Sequence, residues 1–415
     1  MFFYGWLMVL AGFVVLMISW GCQFAFSVFL IPLTEHFGWT RANTAGVFSF
    51  NYLLFGAGSI FSGKLTERFG PRAVVGVGGA LMGGGLALSA AIQNLWQFYL
   101  IYGVIIGLGA SSTWGPLAAT VSRWFIDRRG LAMGIMSLGV SLGIMVFPPL
   151  SRHLITRLGW RMSFVFLGLL TGFLIIGISL LLKRDPKEKG LSPYFKNPGR
   201  SEQGKVSVAP LAASGEDWGF SEALWTRTFW FIFAANLLWL IGFYMVSVHL
   251  AAYGMDLGLS PMAAAFAVSL IGGGSIFGKI FMGLLSDRIG PQKVLVINMF
   301  LQGLSIFGLV ASRGGIWVYL LAALFGFAYG GIAPQLPVLT AQFFGLTSLG
   351  SILGALIFSG AVGGAVGPLL GGMIFDLSQS YAWSFSLAGT AAISSFALIF
   401  LLRPPSARRA GDPGQ

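Results

Sequence analysis

Cysteine occurs once in 415 residues, histidine three times, and charged residues make up only 9% of the chain. The lone thiol, Cys22, cannot close an intrachain disulfide, so no disulfide framework organises the fold. No stretch gathers His, Asp or Glu at ligand or nucleophile spacing, so no metal, no cofactor and no enzymatic site is expected. A glycine-rich phosphate loop is also missing, which argues against an ATP-driven pump. Soluble domains carry about 25% charged residues, so so sparse a charge excludes an ordinary water-soluble protein.

What is present is apolar: 56% of residues are hydrophobic and 15% aromatic. Twelve runs long enough to cross a bilayer are predicted, from 5–33 to 381–402, and the chain reads as an all-α membrane protein. The first run, Tyr4 to Leu33, is too long for a cleaved signal peptide. The net charge of +12 could suggest nucleic acid, but its distribution argues otherwise. Nineteen Lys and Arg fall on one side of the spans, and five (Arg41, Arg152, Arg157, Arg161, Arg313) on the other. That asymmetry is the positive-inside pattern and puts both termini in the cytoplasm, with membrane lipid and not nucleic acid as the surrounding partner.

The chain repeats itself. Residues 63–75, GKLTERFGPRAVV, match 283–295, GLLSDRIGPQKVL, at an offset of 220, and Gly38/Gly258, Ser49/Ser269, Gly130/Gly350 and Pro148/Pro368 keep the same offset. The expected organisation is two pseudo-symmetric six-helix bundles, 1–184 and 228–403, joined by a cytoplasmic linker at 185–227 and followed by a disordered tail at 404–415. A short amphipathic helix is expected near Trp218 to Trp225.

Within the spans, away from their ends, one charged residue stands alone: Lys279 in the eighth. A charge at mid-membrane costs about 2.5–3.5 kcal/mol on insertion scales, so it needs a cavity or an anion beside it. Gly272, Ser275 and Gly283 share its helix face and are expected to leave room for a ligand. The competing reading is a lysine snorkelling to the surface about 9 Å away.

The duplicated loop, with Gly63, Glu67, Arg68, Gly70 and Arg72, resembles the signature of the major facilitator superfamily. That resemblance implies two six-helix bundles with substrate between them at mid-membrane. The segment RWFIDRRGLAMGIMSLGVSLG at 123–143, through Trp124, Phe125, Arg128, Arg129, Leu131, Ala132, Gly134, Gly139 and Gly143, is similar to the monocarboxylate porters and their oxalate–formate antiporter relatives. YGWLMVLAGF at 4–13 is a weaker match, similar to the family's first-helix Gly-Trp motif, and FGWTR at 37–41 resembles a run common among bacterial members. Two departures stand out against the animal members: Ser275 replaces a helix 8 carboxylate, and the first span offers Gln23 and Ser27 in place of a lysine. The eleventh span also lacks the lysine of the oxalate exchangers. One cavity cation suits one carboxylate.

The expected substrate site is therefore Lys279 with Gln23, Phe26, Asn236, Phe243, Ser275, Tyr329 and Gln335, holding a small monocarboxylate, with an anion exchanger as the alternative. Lys279, His249 and Asp256 are the candidates for proton coupling, with protons as co-substrate. Glu67, Arg68, Arg128, Arg129, Asp287 and Arg288 form a charge belt that the resemblance implies latches the outward-open state. The expected setting is a bacterial inner membrane, with the chain acting as a monomer.

Overall fold

The computed structural model describes residues 3–125, 128–192, 194, 218–312, 314–345 and 347–405. Arg313, linker residues 195–217 and the tail beyond 405 lie outside the described residues. Among the described residues, ten helical stretches are long and apolar enough to cross a membrane. Two of them, Arg41–Ser89 and Arg129–Ser179, are about twice the length a bilayer needs. Each breaks at one glycine in the left-handed region, Gly70 (φ 79°) and Gly159 (φ 77°). Dividing them there gives twelve segments: α1 (Gly5–Phe37), α2 and α3 (41–69 and 71–89), α4 (Leu95–Trp124), α5 and α6 (129–158 and 160–179), α7 (Arg227–Asp256), α8 (Pro261–Ile289), α9 (Pro291–Ala311), α10 (Ile316–Phe344), α11 (Leu349–Ser378) and α12 (Tyr381–Phe400).

The loops expected at 63–72 and 284–293 are much shorter than hydropathy suggests. Helix α2 runs on through Lys64, Glu67 and Arg68, and α8 through Asp287 and Arg288, until Gly70 and Gly290 turn the chain. Apolar patterning ends where the bilayer ends, but the helical hydrogen-bond ladder continues into water until a residue able to take positive φ, followed by proline, stops it.

The duplication extends to the backbone. Gly38 and Gly258 both have positive φ, as do Gly70 and Gly290. Helix α4 breaks at Ser112–Thr113, and α10 breaks at Ala333–Pro334. Gly143 of α5 packs on the Met17 carbonyl of α1, and Gly363 of α11 packs on the Leu237 carbonyl of α7. All of these fall at an offset of 220 or close to it. A methyl on Gly363 would lie 2.8 Å from the Leu237 oxygen and 3.0 Å from Leu240 Cβ. Gly363→Ala is therefore expected to destabilise the protein by about 1–3 kcal/mol through overpacking. Gly354→Ala, with nothing within 4 Å, should be neutral or slightly stabilising. Thermal unfolding in detergent reads both.

Three helix pairs join the halves among the described residues: α2 lies along α11, α5 along α8, and α1 meets α7 less extensively. At the basic face the chain after α6 folds back on the first half. Trp124 donates its indole N–H to the Lys183 carbonyl (3.0 Å), and Arg184 donates to the Glu67 carbonyl (2.7 Å). Tyr194 N–H then donates to the Trp124 carbonyl at the end of α4 (2.9 Å), and Trp218 N–H donates to the Phe344 carbonyl at the end of α10 (3.1 Å). Trp124 and Phe344 are themselves 220 residues apart, so both ends of the linker hang from equivalent helix ends. A helix at Phe220–Leu224 follows, where the short amphipathic one was expected.

Candidate functional site

Side-chain bonds between the halves occur at three depths. On the face away from the basic loops, the Arg41 guanidinium makes a two-point ion pair with Asp256 (2.6 and 2.9 Å) and lies 3.8 Å over the Phe375 ring. The first-turn N–H groups of Arg41 and Ala42 donate to the two oxygens of Asp376 (3.0 and 2.8 Å). A carboxylate at a helix N-terminus satisfies donors that have no partner inside the helix, so Asp376 of α11 caps α2 across the interface. Gly372 lets the α11 backbone reach Ala42, where a Cβ would clash at 2.6 Å.

About 16 Å deeper along α2, at 1.5 Å per residue, Tyr52 and Tyr244 join hydroxyl to hydroxyl. Their rings sit in an aromatic layer drawn from both halves. Phe24 lies 6.1 Å from Phe243 and 6.4 Å from Tyr244, and Tyr329 stacks on Phe243 at 4.2 Å with 13° between planes. This layer, drawn from α1, α2, α7 and α10, bridges the two halves.

The third link is Lys279 itself. Its ammonium donates to the backbone carbonyl of Ser137 in α5 at 2.7 Å. About two turns farther from the basic face, Gly272 brings α8 against the Ser141 carbonyl at 2.5 Å from a would-be Cβ. Helix α8 continues to Ile289, ten residues past Lys279. The last turn of α8 carries Asp287 and Arg288 in water, so the membrane edge stays about 9 Å away, and what opposes snorkelling is that the ammonium is held by the Ser137 carbonyl of α5. The small residues on its face do a different job from the one expected. Gly272 meets α5, and Ser275, fully buried, meets Gly330 of α10 while its hydroxyl donates to the Gly272 carbonyl at 2.9 Å. They allow backbone approach; only Gly283 faces open space.

The remaining candidates separate. Gln23 is buried with its Oε1 unpartnered, and the Tyr329 hydroxyl makes no hydrogen bond among the described residues. Both keep polar capacity free. Phe243 forms the floor under Tyr329, fully buried against Phe325. Phe26 turns away, into a cluster with Phe48 (5.4 Å), Phe98 (6.2 Å) and Tyr102 (5.1 Å) inside the first half. Asn236 spends its amide on the Leu356 carbonyl and Ser359 hydroxyl of α11, both at 2.9 Å. Gln335 accepts from Ser286 at 2.6 Å, near the basic end of α8.

His249 is fully buried and does not meet water. Its Nε2–H donates to the Pro368 carbonyl (2.8 Å), and its Nδ1 is hydrogen-bonded with the Tyr381 hydroxyl (2.9 Å). With Asp256 it belongs to the far-face closure around Arg41, whose guanidinium lies 5.1 Å over the Tyr381 ring. Neither is at Lys279.

In the charge belt, Arg129 donates to the Phe125 carbonyl (3.2 Å), Arg68 lies over Phe69, and Arg128, with φ 60°, starts α5. Asp287 and Arg288 are exposed on the last turn of α8. Among the described residues no ion pair crosses between the halves at this face. Among the described residues the far face is tied across the halves by Arg41, Asp256 and Asp376, and no equivalent side-chain tie is found at the basic face.

A family model for the Major Facilitator Superfamily matches residues 9–367 and 256–415. Human monocarboxylate transporter 11 is 30% identical over 415 residues, covering 96% of this chain and 83% of that protein. Monocarboxylate transporter 13 of Rattus norvegicus is 27% identical over 402 residues, covering 96% and 89%. Among solved structures, a peptide transporter bound to alafosfalin superimposes with a TM-score of 0.73 at 16% identity, over 95% of this chain and 93% of that one. An inward-facing, unoccupied bacterial homolog of the lysosomal transporter Spinster gives 0.69 at 15% identity, over 96% and 95%. The chain is a membrane transporter of the Major Facilitator Superfamily, and within it belongs to the monocarboxylate porter family.

Proposed function

We propose that this protein carries small monocarboxylates, of the lactate or pyruvate type, by alternating access, with its basic face toward the cytoplasm of a bacterial cell. The observation that carries the reading is the Lys279–Ser137 bond. It places the single intramembrane cation on the seam between the halves, with a neutral carbonyl as its resting partner. A carboxylate makes a stronger, charge-assisted bond to an ammonium than a carbonyl does. Substrate entering from the basic face would take the ammonium from Ser137 and release one tie between α5 and α8, coupling occupancy to rocking. Tyr329 and Gln23 are the polar partners with capacity to spare. Closure of the basic face would then fall to the charge belt, Glu67 and Arg68 with Asp287 and Arg288.

Counterflow uptake in proteoliposomes, with a panel of labelled mono- and dicarboxylates, tests the reading. Monocarboxylates should exchange and dianions should not; preferred exchange of a dianion overturns it.

Moving a bare monoanion inward against the membrane potential costs about 2.3 kcal/mol per 100 mV. Concentrative uptake therefore needs a proton. We place that proton on Lys279, because Ser275 cannot titrate usefully and a desolvated lysine, unlike arginine, can give its proton up. An empty neutral carrier and a loaded, charge-balanced one can both reorient. Lys279→Arg is expected to keep exchange and lose accumulation under an imposed inward proton gradient. Full accumulation by the Arg variant would move the proton elsewhere, with His249 and Asp256 next in line. A parent protein that exchanges but never accumulates would be a carboxylate exchanger of the oxalate–formate type.

A further inference from the structure

Away from the substrate path, the helix Phe220–Leu224, the start of α7 and the residues after α12 enclose a cavity of about 830 Å³ at the basic face. Arg227 and Arg403 both line it, and neither enters an ion pair among the described residues. The acid in the lining, Glu222, accepts from the Gly219 N–H at 2.9 Å. Thr228 donates to the Arg403 carbonyl at 3.0 Å, which ties the two arginine-bearing segments together. The Trp218 indole N–H is buried without an acceptor and lines the same cavity. Two cationic forks and an idle donor around one space call for an anion.

The rim says which kind. Trp225, 91% exposed, and Leu401, also exposed, line the cavity; Trp230, 52% exposed, follows Arg227 by one turn on α7, and exposed Phe400 precedes Leu401 at the end of α12. Tryptophans at the ends of membrane spans mark headgroup level, where acyl chains begin. A soluble anion has no use for that apolar rim; a phospholipid does. We propose that this cavity binds the phosphate of an anionic glycerophospholipid of the basic-side leaflet. Arg227 and Arg403 hold the phosphate oxygens, the Trp218 indole supplies a further hydrogen bond, and the acyl chains lie along Trp230 and Phe400. Arginine suits the task because its planar fork meets phosphate at two points. Occupied, the site would clamp the start of α7 to the end of α12.

The test compares the parent with the double variant Arg227→Ala/Arg403→Ala in detergent, offering phosphatidylglycerol, phosphatidylcholine or inorganic phosphate. Native mass spectrometry should show phosphatidylglycerol retained by the parent and reduced at least about tenfold in the double variant, as expected for two basic residues at an anionic surface. Phosphatidylglycerol should raise the parent's unfolding temperature, and the other two should not. Trp218→Phe, which keeps both charges, should lose retention several-fold and guards against a double variant that folds poorly. Equal retention of phosphatidylglycerol by parent and both variants overturns the site. Equal retention of phosphatidylcholine, or stabilisation by inorganic phosphate alone, overturns the anionic-lipid assignment.

Discussion

Lys279→Ala is expected to abolish carboxylate uptake while leaving the protein folded. The ammonium is the cation that meets the seam between the halves inside the membrane, away from the helix ends, bonded to the Ser137 carbonyl at 2.7 Å. Hydrogen bonds to charged groups are worth about 1.5–3 kcal/mol, so losing the substrate's share weakens binding roughly ten- to hundredfold. Charge balance fails as well, because a neutral carrier that binds a monoanion must reorient with net charge inside the membrane. The fold loses the tie to α5 but is relieved of an insertion cost of about 2.5–3.5 kcal/mol. Purified yield and unfolding temperature should stay near the parent's while uptake falls to background. Full transport by the Ala variant would remove Lys279 from the site.

Asp376→Ala is expected to open the far face. Asp376 caps the first turn of α2 from the opposite half, through bonds of 3.0 and 2.8 Å to two backbone N–H groups. It also fixes Arg41 where the two-point pair with Asp256 can form. Such bonds to a charged acceptor contribute about 1.5–3 kcal/mol, and partial solvent access reduces that. Two conformations separated by a few kcal/mol respond to such a change by about tenfold in population. Spin labels at positions 43 and 377, on a Cys22→Ser background, should gain a longer-distance component in the variant. An unchanged distance distribution would show that the closure does not depend on this carboxylate. Asp256→Asn should act in the same direction but more weakly, since its side chain is 37% exposed and the pair it breaks is partly solvated.

The sequence carried the spans, the duplication and the lone cation because each depends on local composition or on a fixed offset. Helix ends were not legible in the same way. Lys64, Glu67 and Arg68 read as loop because they are polar, yet they continue α2 to Gly70. The partner of Lys279 was out of reach for a different reason: Ser137 was visible as a hydroxyl, but the atom that accepts is a backbone carbonyl, which every residue has. Side-chain direction misplaced Phe26, since an aromatic near a polar stripe can face either the seam or its own half. In the sequence Arg41 contributes only a charge on the less basic side, and Asp376 is one acid at the end of a span. Only packing α2 against α11 reveals that they meet.

The linker anchors have a mechanical consequence. Tyr194 and Trp218 hang from the ends of α4 and α10, one on each half. The stretch between these anchors could reach about 80 Å if drawn straight, at about 3.3–3.6 Å per residue. At that reach, chain length sets no limit on how far the two halves part at the basic face. Shortened to some six residues, with a reach of about 20 Å, the stretch would become a ruler held across the basic-side mouth. Chain length, which carries no side-chain chemistry at all, would then set how far the two halves can part there.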